Sequence, residues 1–315
     1  MIKFKEIVYK LLDNYSMLRS RRSISIWLDK CGIDDYKINE DLSVSVVGDV
    51  DIKLKKPWYG YNVLPVKFKD VRGSFSCNES YLKSLEGCPK RVDGNFSCYS
   101  NKLLTMLGGP NDVGGSVSCS NNKLTTLLGC PAKMGSFDCS YNDLISLVGC
   151  PERVGDAFNC RGNKLTSLMG CPIEVGGNFN CGKNKLCSLE GGPVKVGRNY
   201  YCVDNHLTSL KGSPNIIVGD FVCSSNNLSS LEYCAREVGW LFQCDNNKLT
   251  SFEGCPNIVG YKLLGNNNKL APEEFFLYDY SVDQINGYYK SKELKGSLEG
   301  LLGNFVSVGI KKGKI

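Results

Sequence analysis

One phrase, Phe-x-Cys-x-x-Asn-x-Leu-x-x-Leu-x-Gly-Cys-Pro-x-x-Val-Gly-Gly-x, recurs ten times between Phe75 and Leu270, almost always with a period of 21 residues. A unit this short cannot bury an apolar side alone, so each copy must stack on its neighbours and share one continuous core. The third position reads Cys77, Cys98, Cys119, Cys139, Cys160, Cys181, Cys202, Cys223 and Cys244, and Gly265 closes the series. The single 20-residue step, Cys119 to Cys139, reflects a missing glycine.

Within a unit, Phe179-x-Cys181 alternates with period two, the pattern of a short strand with one buried face. Gly-Cys-Pro and Val-Gly-Gly then break regular structure twice, so each unit is one turn of a coil. Against the template Leu-x-x-Leu-x-Leu-x-x-Asn-x-Leu, residues Phe179, Cys181, Asn184 and Leu186 fill the last four slots.

This pattern resembles the leucine-rich repeat family over about two thirds of the chain. It is similar to the shortest bacterial and tailed-phage types, which carry units such as Asn247 to Pro256. Those proteins share entry segments like Ile38 to Val44, Gly48 to Asp51 and Leu64 to Val66. The resemblance implies a β-rich solenoid with a parallel concave sheet, extended return segments and helical caps. The expected layout is an N-terminal cap over residues 1–70, an array over 71–270 and a C-terminal cap over 271–315.

Seventeen cysteines raise the question of disulfides or metal. The odd count and a chain long enough to build its own core weigh against disulfides. No Cys-x-x-Cys occurs and His206 is the sole histidine, which weighs against metal. The Cys77 to Cys244 column reads as buried thiols packing as small hydrophobes. A second column, Cys88, Cys130, Cys150, Cys171, Cys234 and Cys255, accepts Gly109, Gly192 and Ser213 elsewhere and asks only for small size. The Asn101 to Asn268 column sits where the chain leaves the strand, placed to satisfy backbone groups of the bend.

At the N-terminus, Phe4, Val8, Leu11, Leu12 and Tyr15 form an amphipathic helical stripe, expected to cover the first coil. Lys3, Lys5, Glu6 and Lys10 interrupt it, arguing against a signal peptide or membrane span. Residues 43 to 54 read as a hairpin or entry strand, and Lys290 to Leu302 as a helix within an aromatic C-terminal cap. A cytoplasmic protein is expected, without cofactor, metal or membrane partner.

Net charge is +6, a mild bias. Lys102, Lys123, Lys164, Lys185, Lys248 and Lys269 precede the repeat leucine and form a broken ridge, interrupted by Asp143, His206 and Asn227. Nucleic-acid binding along that ridge is an alternative function, although base-stacking groups are not interleaved with it. Self-assembly through the caps, giving a homo-oligomer, is another.

Catalysis finds no support. No Gly-x-Gly-x-x-Gly opens a helix, no Gly-x-Ser-x-Gly elbow occurs, and Cys187, the one array thiol outside the two columns, lacks an activating neighbour. Function is therefore sought on the concave face. In the first half its slots are small and polar (Ser74, Asn95, Ser116, Ser136), with Tyr99, Tyr141 and Arg161 as larger exceptions. From the sixth unit they become Arg198, Tyr201, Val203, Asp204, Val222, Trp240, Leu241, Gln243 and Tyr261. Aromatics and arginine at unburied strand positions are the composition of a protein-binding hot spot. The expected activity is non-enzymatic protein binding through these residues, in the phage setting directed at a host component.

Overall fold

Each Phe-x-Cys segment forms a short strand whose outer two residues point inward. Phe179 and Cys181 are buried and Asn180 between them is half-buried. The computed structural model describes residues 17–53, 62–271 and 283–292. Eleven such strands, from Val50–Asp51 to Lys262–Leu264, pair in parallel with their chain neighbours into one sheet. Phe stacks on Phe through the core, with ring centroids 6.0 Å apart at Phe75 and Phe96 and 5.7 Å apart at Phe137 and Phe158.

The return segments run extended, as the resemblance implies, and pair into three smaller sheets on the opposite side of the core. The first joins Tyr36–Ile38, Val44–Val46, Phe68–Val71, Arg91–Val92 and Asp112–Val113; it stops where the glycine is missing, near Met134. The result is a parallel-strand β-solenoid of about ten turns with few helices.

Residues 43 to 53 are both things the alternation allowed, and Leu54 lies outside the described residues. Val44–Val46 closes an antiparallel hairpin with Tyr36–Ile38, and Val50–Asp51 starts the long sheet. The amphipathic stripe at Phe4 to Tyr15 lies outside the described residues. Among the described residues the N-terminal part holds a helix, Arg21–Lys30, begun by Ser20, whose Oγ accepts from the Ser23 N–H at 3.1 Å. Its Ile24, Trp27 and Leu28 are buried, and Trp27 lies 6.4 Å from the Phe68 ring. At the other end a helix over 283–292 starts earlier than the expected Lys290. Its Ile285 is buried, and the Tyr289 hydroxyl accepts from the Phe252 N–H at 2.8 Å. Leu302, like Phe275, Phe276, Tyr278 and Tyr280, lies outside the described residues.

The asparagine column does more than close its own bend. Asn184 Nδ2 donates to the carbonyls of Cys181 (3.0 Å) and of Cys160 one coil back (3.1 Å), while its Oδ1 accepts from the Leu165 N–H at 3.0 Å. The same three bonds recur at Asn142, Asn163, Asn205, Asn226 and Asn247. Adjacent coils are thus tied to one another by side-chain amides inside the core.

Tyr200 is the one tyrosine in the phenylalanine column, and the coil before it carries Gly192 where most have cysteine. A Cβ at Gly192 would meet the Tyr200 hydroxyl at 3.2 Å, so the small residue makes room for the larger ring. That hydroxyl is fully buried and, among the described residues, has no hydrogen-bond partner. Removing it in Tyr200→Phe should stabilise the protein by about 1–2 kcal/mol, the cost of an unsatisfied buried polar group. Urea unfolding of the two proteins checks this, and a destabilised variant would refute it.

Candidate functional site

The strand alternation that buries Phe and Cys leaves three outward columns on the long sheet. The column immediately before Phe proves structural. The Asn95 N–H donates to Ser74 Oγ (3.1 Å), Ser116 to Asn95 Oδ1 (2.7 Å), Ser136 to Ser116 Oγ (3.1 Å) and Ala157 to Ser136 Oγ (3.3 Å). After Ala157, which has no side-chain acceptor, the ladder resumes through Asn178, Asn199 and Asp220 to the Leu241 N–H. The expected change of character at the sixth unit therefore fails in this column. Its small polar residues span both halves because all but Ala157 accept from the next coil, and the ladder ends at Leu241.

The change is real in the neighbouring slots. Arg198, Trp240 and Tyr261 occupy the second glycine position, where a Cβ at Gly115 or Gly219 would land on Asn95 Oδ1 or Asn199 Oδ1 of the ladder below. Trp240 and Tyr261, on consecutive coils, stack with centroids 5.2 Å apart and planes 17° from parallel. They remain 57% and 66% exposed. The described C-terminal helix packs elsewhere, with Asn286 Nδ2 donating to the Pro256 carbonyl at 3.4 Å.

Tyr201, Val203, Val222 and Gln243 are half-buried on the same face. The Tyr201 hydroxyl accepts from Asn199 Nδ2 at 2.6 Å, and Gln243 Nε2 donates to Asp245 at 2.6 Å, which fixes both side chains. Asp204 is exposed and sits in a left-handed turn position, φ 57°, the conformation that precedes every repeat asparagine from Asn101 to Asn268.

Two of the secondary candidates join Asp204. Arg161 reaches across Gly182 to Asp204 (3.8 Å), and its Nε donates to the Tyr141 hydroxyl at 3.4 Å. A Cβ at Gly182 would lie 2.8 Å from the guanidinium, so the glycine is what lets the arginine cross a coil. Tyr99 is exposed and stands apart from this group. Sequence reasoning missed a trough of about 440 Å³ on the same sheet, floored by Ser97, Ser118, Asp138 and Asn159. It opens around the short coil, and the missing glycine together with a run of serines was the available signal.

All seventeen cysteines are free thiols, and those of the first column are buried. Desolvation pushes the Cys130 and Cys255 thiols up to about 12, and Cys98, Cys119, Cys139 and Cys181 well above the usual range. Thiols so shifted are poor nucleophiles and poor ligands at neutral pH. Cys187 is exposed. Among the described residues no cluster of three metal-ligating side chains occurs, and no helix is long and apolar enough to cross a membrane. On the lysine ridge, Lys164 pairs with Asp143 at 2.7 Å and Lys102 lies over the Tyr81 ring.

Neither a protein-family model nor a curated protein matches the sequence. Among solved structures, YopM from Yersinia enterocolitica WA-314 superimposes over 72% of this chain with a TM-score of 0.51 and 17% identity. The fold is of the leucine-rich repeat type. The match covers 55% of YopM, so this chain spans little more than half of that protein's length. The outward columns are where this chain differs from coil to coil.

Proposed function

We propose that this protein is a non-enzymatic interaction module that binds a protein partner through the C-terminal half of the long sheet's outer face. The observation that carries the reading is the stacked Trp240 and Tyr261 pair, rigid, aromatic and exposed in a column that is glycine in most coils. Rigid aromatics give a large contact area at little cost in conformational entropy, which is why they dominate binding hot spots. Arg198 and the fixed Tyr201 and Gln243 supply a polar surround, and Val203 and Val222 an apolar floor. The resemblance to tailed-phage repeat proteins supports a phage-encoded factor acting in the bacterial cytoplasm on a host component. In this reading the segments 1–70 and 271–315 serve as caps.

Immobilised protein should retain a specific partner from bacterial lysate, and Trp240→Ala with Tyr261→Ala should weaken the purified complex by about 2 kcal/mol, roughly thirtyfold. Both side chains are more than half exposed, so the melting temperature should be unchanged. Undiminished binding by the double variant would remove this face from consideration.

A further inference from the structure

The position between the second repeat leucine and the Gly-Cys-Pro turn is charged in most coils: Glu86, Glu190, Lys211, Glu232 and Glu253. In four consecutive coils it is instead Leu107, Leu128, Val148 and Met169, every one more than half exposed. Leu104 and Ile145, three residues upstream of the first and third of these, are exposed beside them. None of these residues belongs to the buried core.

The coils are in register at this flank. The Met106 N–H donates to the Leu128 carbonyl at 3.0 Å, and Lys123 and Lys185 donate their N–H groups to the carbonyls of Leu103 and Leu165 at 3.0 Å and 2.8 Å. Four side chains one coil apart make a single-file apolar stripe about 14 Å long, at roughly 4.8 Å per step. Five residues upstream of the stripe residues, in the same coils or the one beyond, runs the exposed lysine ridge: Lys102, Lys123, Lys164 and Lys185, with Asp143 as the one anion in that run of the column. Apolar stripe and cationic ridge therefore lie side by side along the solenoid axis.

We propose that this flank is a second docking surface, and that its occupant is an acidic amphipathic helix of a partner protein. A helix laid along the solenoid repeats every 5.4 Å, close to the coil step, so residues at i, i+4, i+7 and i+11 meet the stripe over its whole length. Glutamates or aspartates along one edge of that helix then face the lysines. An antiparallel second copy of this chain fits poorly, because it brings the two lysine ridges towards each other, and a parallel copy offers the ridge no row of carboxylates from the same flank. A lipid surface rewards broad apolar area, whereas this stripe is at most two side chains wide with cations on one edge.

The probe is a capped, fluorescein-labelled peptide of about 18 residues with leucine at those helical positions and glutamate along one flank. Fluorescence anisotropy should show saturable binding that weakens at least about tenfold in Leu128→Glu with Val148→Glu, and similarly in Lys123→Glu with Lys185→Glu. It should weaken as salt is raised, and a peptide with lysine replacing glutamate should bind at least about tenfold less well. All four substituted positions are exposed, so unchanged melting temperatures confirm intact folding. Absence of saturable binding, or binding indifferent to both variant pairs, overturns the proposal. So does sedimentation with phosphatidylserine vesicles that is lost in Leu128→Glu while the peptide fails to bind, or a dimer that depends on Leu128.

Discussion

Raising the pH of the reduced protein from about 8 to about 10 should unfold it cooperatively. Ten repeat thiols (Cys88, Cys98, Cys119, Cys139, Cys160, Cys181, Cys202, Cys223, Cys244 and Cys255) are buried, and desolvation raises each above its usual value of 9.0. The folded chain keeps these groups neutral, while in the unfolded chain they ionise near pH 9. Their contribution is therefore fully present below the unfolded value and is lost as pH rises above it towards the folded values.

Each thiol costs a fraction of a kcal/mol at pH 9 and about 1 kcal/mol at pH 10, so ten together cost on the order of 10 kcal/mol by pH 10. Domains are typically stable by only about 5–15 kcal/mol, so the loss should cross zero in that interval. Urea unfolding under a phosphine reductant at increasing pH reads the slope directly. Replacing Cys160, Cys181 and Cys202 by alanine should make the slope shallower by about a third. A stability curve that stays flat to pH 10 would mean that the column ionises in place, contrary to its burial.

The cysteine column also shows which features were legible from sequence and which were not. A period repeated ten times assigns every slot an environment, so Phe179, Cys181, Leu186 and Leu189 are buried as their positions demand. The stacking direction is different, because residues 21 apart touch although nothing local marks them. The ladder through Ser74, Asn95 and Ser116 looks like ordinary polar surface, since serine, asparagine and aspartate all serve as acceptors there. Arg161 bridging to Asp204 needs Gly182 in the coil between, a three-coil relation that no motif records. The helix Arg21–Lys30 was missed although Ile24, Trp27 and Leu28 have helical spacing, because Ile24 and Ile26 flanked by serines also suggest a strand. The stripe from Leu107 to Met169 was legible once slots are numbered. Within a leucine-rich unit, nothing local separates an exposed leucine such as Leu128 from its buried neighbour Leu127.

Asn184→Leu should be among the most damaging single substitutions in the array, destabilising it by about 3 kcal/mol. The two side chains share a branched four-atom skeleton, so no cavity is opened and the lost hydrogen bonds are the main cause. Asn184 Oδ1 accepts from the Leu165 N–H, which would be left buried without an acceptor. The Cys160 and Cys181 carbonyls fare better, because each also receives an amide from its other neighbour, Asn163 or Asn205. One donor lost costs about 1–3 kcal/mol, and two carbonyls reduced from two bonds to one add a smaller amount. Position along the array should modulate the effect: because coils interact mainly with their neighbours, damage at Asn184 divides the stack, whereas the same change at Asn268, partly exposed in the last coil, removes only terminal contacts. Urea denaturation of Asn184→Leu and Asn268→Leu, side by side, tests both claims. Equal destabilisation would show that the coils melt as one unit, and a neutral Asn184→Leu would show that the amide ladder contributes nothing to holding them together.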